Sequence, residues 1–163
     1  MHGNFDIKLN FMTKIIFTVA LIATTLVQSS FAQDKTSDVF AQYYAIKDAL
    51  VSGNAGLANT KAIAFVKTVA DDAALPEANR AAIIKDAAKI ASTKDLKKQR
   101  EYFSGFSDQM FEMAKSTKLT KEPVYKQYCP MAKGSWLSSS SAIKNPYYGS
   151  AMLTCGKVVE TLK

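Results

Sequence analysis

The stretch from Val124 to Gly156 reads VYKQYCPMAKGSWLSSSSAIKNPYYGSAMLTCG and holds both cysteines of the chain, Cys129 and Cys155. Each cysteine has a methionine close by, Met131 after the first and Met152 before the second. These sulfurs follow neither the alternation of a half-buried strand nor the three-and-four spacing of an amphipathic helix. The pattern therefore predicts an ordered loop at 124–156 that carries whatever is specific to this protein.

Upstream of this stretch, the apolar residues recur at the spacing of amphipathic helices. The strongest example starts at Leu96 and forms one stripe, which comprises Leu96, Phe103, Phe106, Met110, Met113 and Ala114. Three more such stretches precede it, and Pro76 suits the first turn of the third helix. Polar breaks separate the four helices at 52–54, 71–75 and 92–95.

Four helices with short connections predict an all-α fold, an antiparallel four-helix bundle with the 124–156 loop packed across it. Trp136, Tyr147 and Tyr148 supply the large apolar area that would hold this loop against the bundle. A short final helix is expected over Val158–Leu162. In this interpretation residues 33–163 form a single helical domain.

The N-terminal residues 1–32 have the pattern of a secretory signal peptide. An uncharged apolar run covers Ile15–Val27, and small residues stand at the cleavage positions before Gln33. Residues 1–11 precede a complete signal and are interpreted as an overcalled start. We expect a periplasmic or secreted protein with no membrane span after cleavage, because this run is shorter than the roughly 20 residues that a bilayer crossing needs.

Charge and composition narrow the function. The net charge of +7 comes from scattered rather than clustered lysines, which is typical of a solvated surface, and export argues against a nucleic-acid partner. The only histidine, His2, precedes the predicted cleavage site, so imidazole-based metal sites are excluded in the mature chain. The commonest general base is absent as well, and the serine run 138–141 has no partner to activate it, so we do not expect an enzyme.

The four sulfurs allow two interpretations. Cys129, Met131, Met152 and Cys155 provide thiolates and thioethers, soft ligands that select copper(I) or silver(I). Alternatively, export favours a Cys129–Cys155 disulfide, with the methionines filling gaps beside aromatic rings. Closing that loop would stabilise the fold by roughly 3.5 kcal/mol in the chain-entropy model. The residues alone leave both interpretations open.

The terminal stretch resembles a bacterial family of secreted domains of unknown function that also occurs fused to periplasmic adaptor subunits of heavy-metal efflux pumps. The resemblance is carried by CPMA at 129–132, NPYYG at 145–149 and MLTCG at 152–156. The residues that support the motif are Tyr125, Trp136, Asn145, Pro146, Tyr147, Tyr148 and Gly149. The resemblance implies copper or silver handling in the periplasm, with components of an efflux system as partners, and it implies no reaction.

Together these features predict an exported domain that binds copper(I) or silver(I) and serves heavy-metal tolerance or efflux. The alternative is a disulfide-stapled periplasmic interaction domain that docks on an envelope partner and binds no metal. In the first interpretation Cys129 and Cys155 are reduced and bind the metal ion, and in the second they form a disulfide.

Overall fold

The computed structural model describes residues 28–73, 75–117 and 122–163, with side chains from Asp38 onward. Within these residues, four α-helices come first and three β-strands follow, with a short 3-10 helix at Gly149–Met152. The helices are α1 Gln28–Val51, α2 Ala55–Ala70, α3 Glu77–Ala91 and α4 Leu96–Thr117. The strands are β1 Val124–Cys129, β2 Gly134–Ser138 and β3 Lys157–Leu162.

Residues 35–163 form one compact unit, and residues 1–34 form another, of which only the helical backbone from Gln28 is described. The predicted signal peptide lies outside the described residues over 1–27, so its cleavage stays a prediction. In the described part of the chain, no helix combines the length and apolar character that a bilayer crossing requires.

The four predicted helices are present, and their boundaries follow local signals. Gly53 has a φ of 72° after α1, and the Asn54 side chain accepts a 2.9 Å hydrogen bond from Leu57 N–H at the start of α2. Pro76 is the N-cap of α3 rather than a residue of its first turn. Short-range chemistry therefore fixes where these helices begin and end.

The core of the bundle lies along α4, where the predicted stripe is buried from Phe103 onward. Phe106 meets Phe65 of α2 edge-on with ring centroids 4.9 Å apart, and Tyr43 of α1 stacks on Phe103 at 5.6 Å. Aromatic rings of this size contribute more buried area than any other side chains, so these contacts hold α1 and α2 onto α4.

The all-α prediction is wrong. Three strands form an antiparallel sheet in the order β2-β1-β3, so the fold is mixed α and β. The 124–156 stretch contains a hairpin rather than only a loop. The final helix predicted over Val158–Leu162 is instead strand β3.

The sheet escaped prediction because both faces of β1 and β2 are covered. On one face Lys126 lies over the Phe111 ring of α4, with its Nζ 3.8 Å from the ring centroid. On the other face Gln127 is fully buried, and its Nε2 donates to Ser140 O at 2.9 Å and Ala142 O at 3.2 Å. A strand covered on both faces does not show the alternation of apolar and polar residues that identifies a half-exposed strand.

The hydroxyl groups of two tyrosines secure the outer edge of β2. Tyr43 Oη accepts a hydrogen bond from Leu137 N–H at 2.9 Å and lies 2.7 Å from Ser107 Oγ. Tyr147 Oη donates to Ser135 O at 2.5 Å. These bonds join the edge of the sheet to α1 and to the loop that follows β2, and they fix the hairpin against the bundle.

Candidate functional site

The hairpin turn from Pro130 to Lys133 places Cys129 at the end of β1, opposite Gly134 at the start of β2. Lys133 adopts the left-handed conformation with a φ of 51°, which reverses the chain. A Cβ at Gly134 would lie 2.6 Å from the Tyr147 ring, so the position requires glycine. This turn positions the first sulfur of the site.

The Cys129 sulfur is buried inside this turn. Ala132 N–H points back at it, with a nitrogen-to-sulfur distance of 3.4 Å. A backbone N–H directed at a sulfur stabilises negative charge on it. The geometry of the turn therefore favours a thiolate at Cys129.

The second sulfur reaches the first because of how β3 pairs with β1. Tyr128 pairs with Lys157, so the chain just before β3 runs beside the end of β1. Gly156 has a φ of 149°, and a Cβ there would lie 2.8 Å from the Trp136 ring. The absence of a side chain at Gly156 lets the backbone pass the indole and brings Cys155 to Cys129.

The two Sγ atoms lie 3.5 Å apart, and both cysteines are free thiols. A disulfide requires about 2.05 Å between the sulfurs. Two thiolates that share a tetrahedral ion at about 2.3 Å lie about 3.8 Å apart. The observed distance is thus close to that of a shared soft ion, and a shift of about 1.5 Å would allow a disulfide.

The two thiols have different electrostatic surroundings. Burial raises the pKa of Cys129, but the hydrogen bonds of Ala132 and Cys155 and the nearby polar groups of Asn145 and Met131 outweigh burial and lower that pKa. The pKa of Cys155 is raised, first by its hydrogen bond to Cys129 and then by burial. When the pair loses a proton, these contacts therefore favour its loss from Cys129 over its loss from Cys155.

The methionines of the predicted four-sulfur set lie at the surface beside this pair. Met131 is 62 % exposed in the hairpin turn, and Met152 is 40 % exposed at the end of the 3-10 helix. Cys155 N–H bonds to Met152 O at 3.1 Å, so the second methionine belongs to the turn that carries Cys155. The structure brings the two cysteines together and leaves the two thioethers facing solvent nearby.

Within the ranges that the structure describes, no group of three or more His, Cys, Asp or Glu side chains could hold a metal ion. The donors near the site are thiolate and thioether sulfur, which suit copper(I) or silver(I) better than magnesium or calcium.

The predicted supporting residues are all buried or half-buried. Trp136, Asn145 and Pro146 are buried, while Tyr125, Tyr147 and Tyr148 are half-buried. Gly149 has a φ of 57°, and a Cβ there would lie 2.6 Å from Val51 O and 2.7 Å from Arg100 Nη2. Gly149 thus allows the loop to approach the C-terminal end of α1 closely.

A groove of about 720 Å³ lies between α4 and the loop and borders the cysteine turn through Ala132. Lys97, Arg100 and Tyr148 are among its lining residues. The Arg100 guanidinium donates from Nη2 to Leu50 O at 2.9 Å, and its pKa is lowered by burial. Arg100 therefore holds the end of α1 as well as lining this groove.

Sequence reasoning missed the backbone donor of the turn and the contacts of Asn145, which it named as a residue that supports the motif. Tyr147 N–H bonds to Asn145 Oδ1 at 2.8 Å. The Asn145 amide also donates from Nδ2 to Cys155 O at 2.8 Å. A pattern of residue types cannot show these contacts, because they depend on how two distant turns come together.

A family model described as a protein of unknown function (DUF3347) matches residues 39–122. The match runs from α1 to the residue just before Pro123 and β1, so it covers the bundle and ends before the cysteine motif. No curated protein and no solved structure matched the chain. The link between the motif and efflux adaptors stays a prediction.

Proposed function

The chain belongs to the DUF3347 family of proteins of unknown function, and we propose that this member binds one copper(I) or silver(I) ion through Cys129 and Cys155. The observation that carries the proposal is the pair of free thiols with sulfurs 3.5 Å apart. Hydrogen bonds from the turn favour the thiolate form of Cys129, which is the form that binds metal.

The donor set fits a soft cation. Each thiolate supplies a full negative charge and loses a proton on binding, so the two cysteines should dominate the affinity. Met131 or Met152 completes the set by turning a neutral thioether inward from the surface. Because the thioethers start exposed, their contribution is the smaller one.

Direct titration tests this function. Reduced protein competes for copper(I) with a chromophoric ligand, and the fluorescence of Trp136, the only tryptophan, reports on the site. We expect one ion per chain, near-complete loss of binding in Cys129→Ser and Cys155→Ser, and partial weakening in Met131→Leu and Met152→Leu. Met110→Leu, the same change at a buried methionine of the bundle, serves as control and should bind like wild type.

A second candidate is a reversible clasp, which the same sulfur spacing favours. Here Cys129 and Cys155 form a disulfide that stabilises the oxidised fold by about 3.5 kcal/mol, and the domain docks on an envelope partner without metal. If reduced wild type fails to compete for copper(I) while its oxidised form melts well above both cysteine variants, the clasp replaces the metal site.

We further propose that the protein is exported and works in heavy-metal tolerance with periplasmic components of an efflux system. The signal-peptide pattern and the resemblance of the terminal motif support this setting. Intact mass of the exported form should correspond to a chain that begins at Gln33. A mass that retains Met1 or Met12 would contradict export by this signal.

A further inference from the structure

Asn145 is fully buried in the loop before Cys155, and its side chain bonds in two directions. Its Oδ1 accepts hydrogen bonds from Tyr147 N–H at 2.8 Å and from Tyr148 N–H at 3.3 Å. Its Nδ2 donates to Cys155 O at 2.8 Å. One amide therefore shapes the turn at the start of this segment and also holds the end of it.

The main chain of Asn145 adds to the same connection. Its N–H donates to Leu153 O at 2.9 Å, and its C=O accepts from Gly149 N–H at 3.0 Å. The segment 145–155 is thus closed at its base by a single residue. Pro146 follows directly and restricts the backbone there.

The segment that Asn145 closes is joined to the hairpin that carries Cys129. Tyr147, whose N–H bonds to Asn145 Oδ1, donates from its hydroxyl to Ser135 O of β2 at 2.5 Å. Asn145 therefore connects the carbonyl of Cys155 to the residue that ties this segment to the hairpin. The Cys129 turn and the Cys155 segment are far apart in sequence, and the pairing of β1 with β3 ends at Tyr128 and Lys157, so it does not include Cys155.

We propose that Asn145 is the positioning residue that holds the Cys155 segment against the Cys129 turn and thereby sets the distance between the two sulfurs. Its importance for metal binding rests on the proposed function. The spacing itself is a property of the fold and can be tested without copper or silver.

Gln127 provides a matched control. It is also fully buried, and its amide fastens the same loop through Ser140 O and Ala142 O. Its hydrogen bonds go to these carbonyls and not to either cysteine. Asn145→Asp and Gln127→Glu therefore make the same chemical change, the loss of a buried amide donor, with and without contact to the site.

A reagent that needs two adjacent thiols measures the spacing. Methylarsonous acid condenses with both cysteines: two As–S bonds form, two As–O bonds break, and the two thiol protons leave with the hydroxyls as water, without oxidation. After the first bond, the second step is intramolecular, so the affinity depends on how closely the sulfurs are held. Methylmercury, which binds a single thiol and releases its proton, reports on each sulfur separately.

We expect Asn145→Asp to weaken arsenical binding, measured by competition with a small dithiol and intact mass, by about tenfold or more relative to wild type. Its methylmercury binding should change far less. Gln127→Glu should lower the melting temperature but leave arsenical binding at the wild-type level. A loss of arsenical affinity in Asn145→Asp but not in Gln127→Glu would distinguish a positioning role from a general loss of stability.

Asn145→Ala, with Gln127→Ala as its control, removes the donor without adding a buried carboxylate. Folded Asn145 variants that bind the arsenical like wild type would overturn the proposal. An equal loss of arsenical affinity in the Gln127 variants would overturn it as well. Unfolding of both Asn145 variants would assign the residue to folding instead. If wild type binds the arsenical but not silver(I), the proposed metal-binding function is wrong, whereas the positioning role of Asn145 still holds.

Discussion

The helical bundle and the region after Glu122 are stabilised by different means. Along α4 the bundle is held by aromatic rings such as Phe103 and Phe106, which pack without directional bonds. In the C-terminal region, the buried amides Gln127 and Asn145 bond to loop carbonyls, and glycines allow close backbone contacts. The first kind of packing tolerates apolar substitutions of similar volume, whereas the second depends on individual atoms.

The family match follows the same division, since it covers the bundle and stops before β1. A bundle is a general scaffold, and the specific chemistry of a protein lies in the site that the scaffold supports. We therefore expect substitutions in the bundle to change mainly the stability of the fold, and substitutions in the C-terminal region to change the contacts that hold the two sulfurs. The following substitutions test this division, starting with the largest effect.

Phe103→Ala should have the largest effect on stability. The ring is fully buried between Tyr43 and Phe106, so its removal leaves a cavity and should lower the free energy of unfolding by about 3–5 kcal/mol. Urea unfolding measures the change, and copper(I) affinity of the folded fraction should stay at the wild-type level. A loss below about 1 kcal/mol would show that this ring is not part of the core.

Gly149→Ala should disturb the C-terminal region next most strongly. The residue has a φ of 57°, and the new Cβ would lie 2.6 Å from Val51 O, so we expect a loss of about 2–3 kcal/mol. Gly56→Ala in α2 is the control, because the nearest atom there is Asn54 Oδ1 at 3.6 Å. Equal denaturation midpoints for the two variants would contradict the close contact between the loop and α1.

Tyr43→Phe tests the connection between the two regions. Tyr43 Oη bonds to Leu137 N–H and Ser107 Oγ, so removing it leaves a buried N–H without its partner and should cost about 1–2 kcal/mol. Tyr44→Phe changes a neighbouring tyrosine and should cost less. If Tyr44→Phe proves as costly as Tyr43→Phe, the hydroxyl of Tyr43 does not join the sheet to the bundle.

The smallest expected effect is the alkaline pH dependence of the free energy of unfolding, which also depends on the Tyr43 hydroxyl. Burial raises the pKa of Tyr43 well above its usual value of 10.0, so the folded chain keeps this proton when the unfolded chain loses it. The stabilisation is complete below pH 10 and is lost as the pH rises above it, by about 1.4 kcal/mol per pH unit at most. The free energy of unfolding should therefore fall more steeply between pH 9 and 11 for wild type than for Tyr43→Phe. Parallel curves of free energy against pH would contradict this assignment.

The sequence by itself determined the four helices and singled out the candidate site residues. Helices form through contacts between near neighbours, so the stripe from Leu96, the break at Gly53 and the cap at Asn54 are visible as local patterns. The Cys and Met content also pointed to soft-ligand or disulfide chemistry in 124–156. These conclusions need residue types and short spacings only.

The tertiary structure decided the sheet and the geometry of the sulfurs. Strand pairing joins residues far apart in sequence, and β1 is covered on both faces, so its residues show no alternation that would identify it. The 3.5 Å between Cys129 and Cys155 depends on the register of Tyr128 with Lys157, on the missing side chain at Gly156 and on the amide of Asn145. Spacing along the chain carries no information about such contacts, because they arise only when separate turns pack against each other.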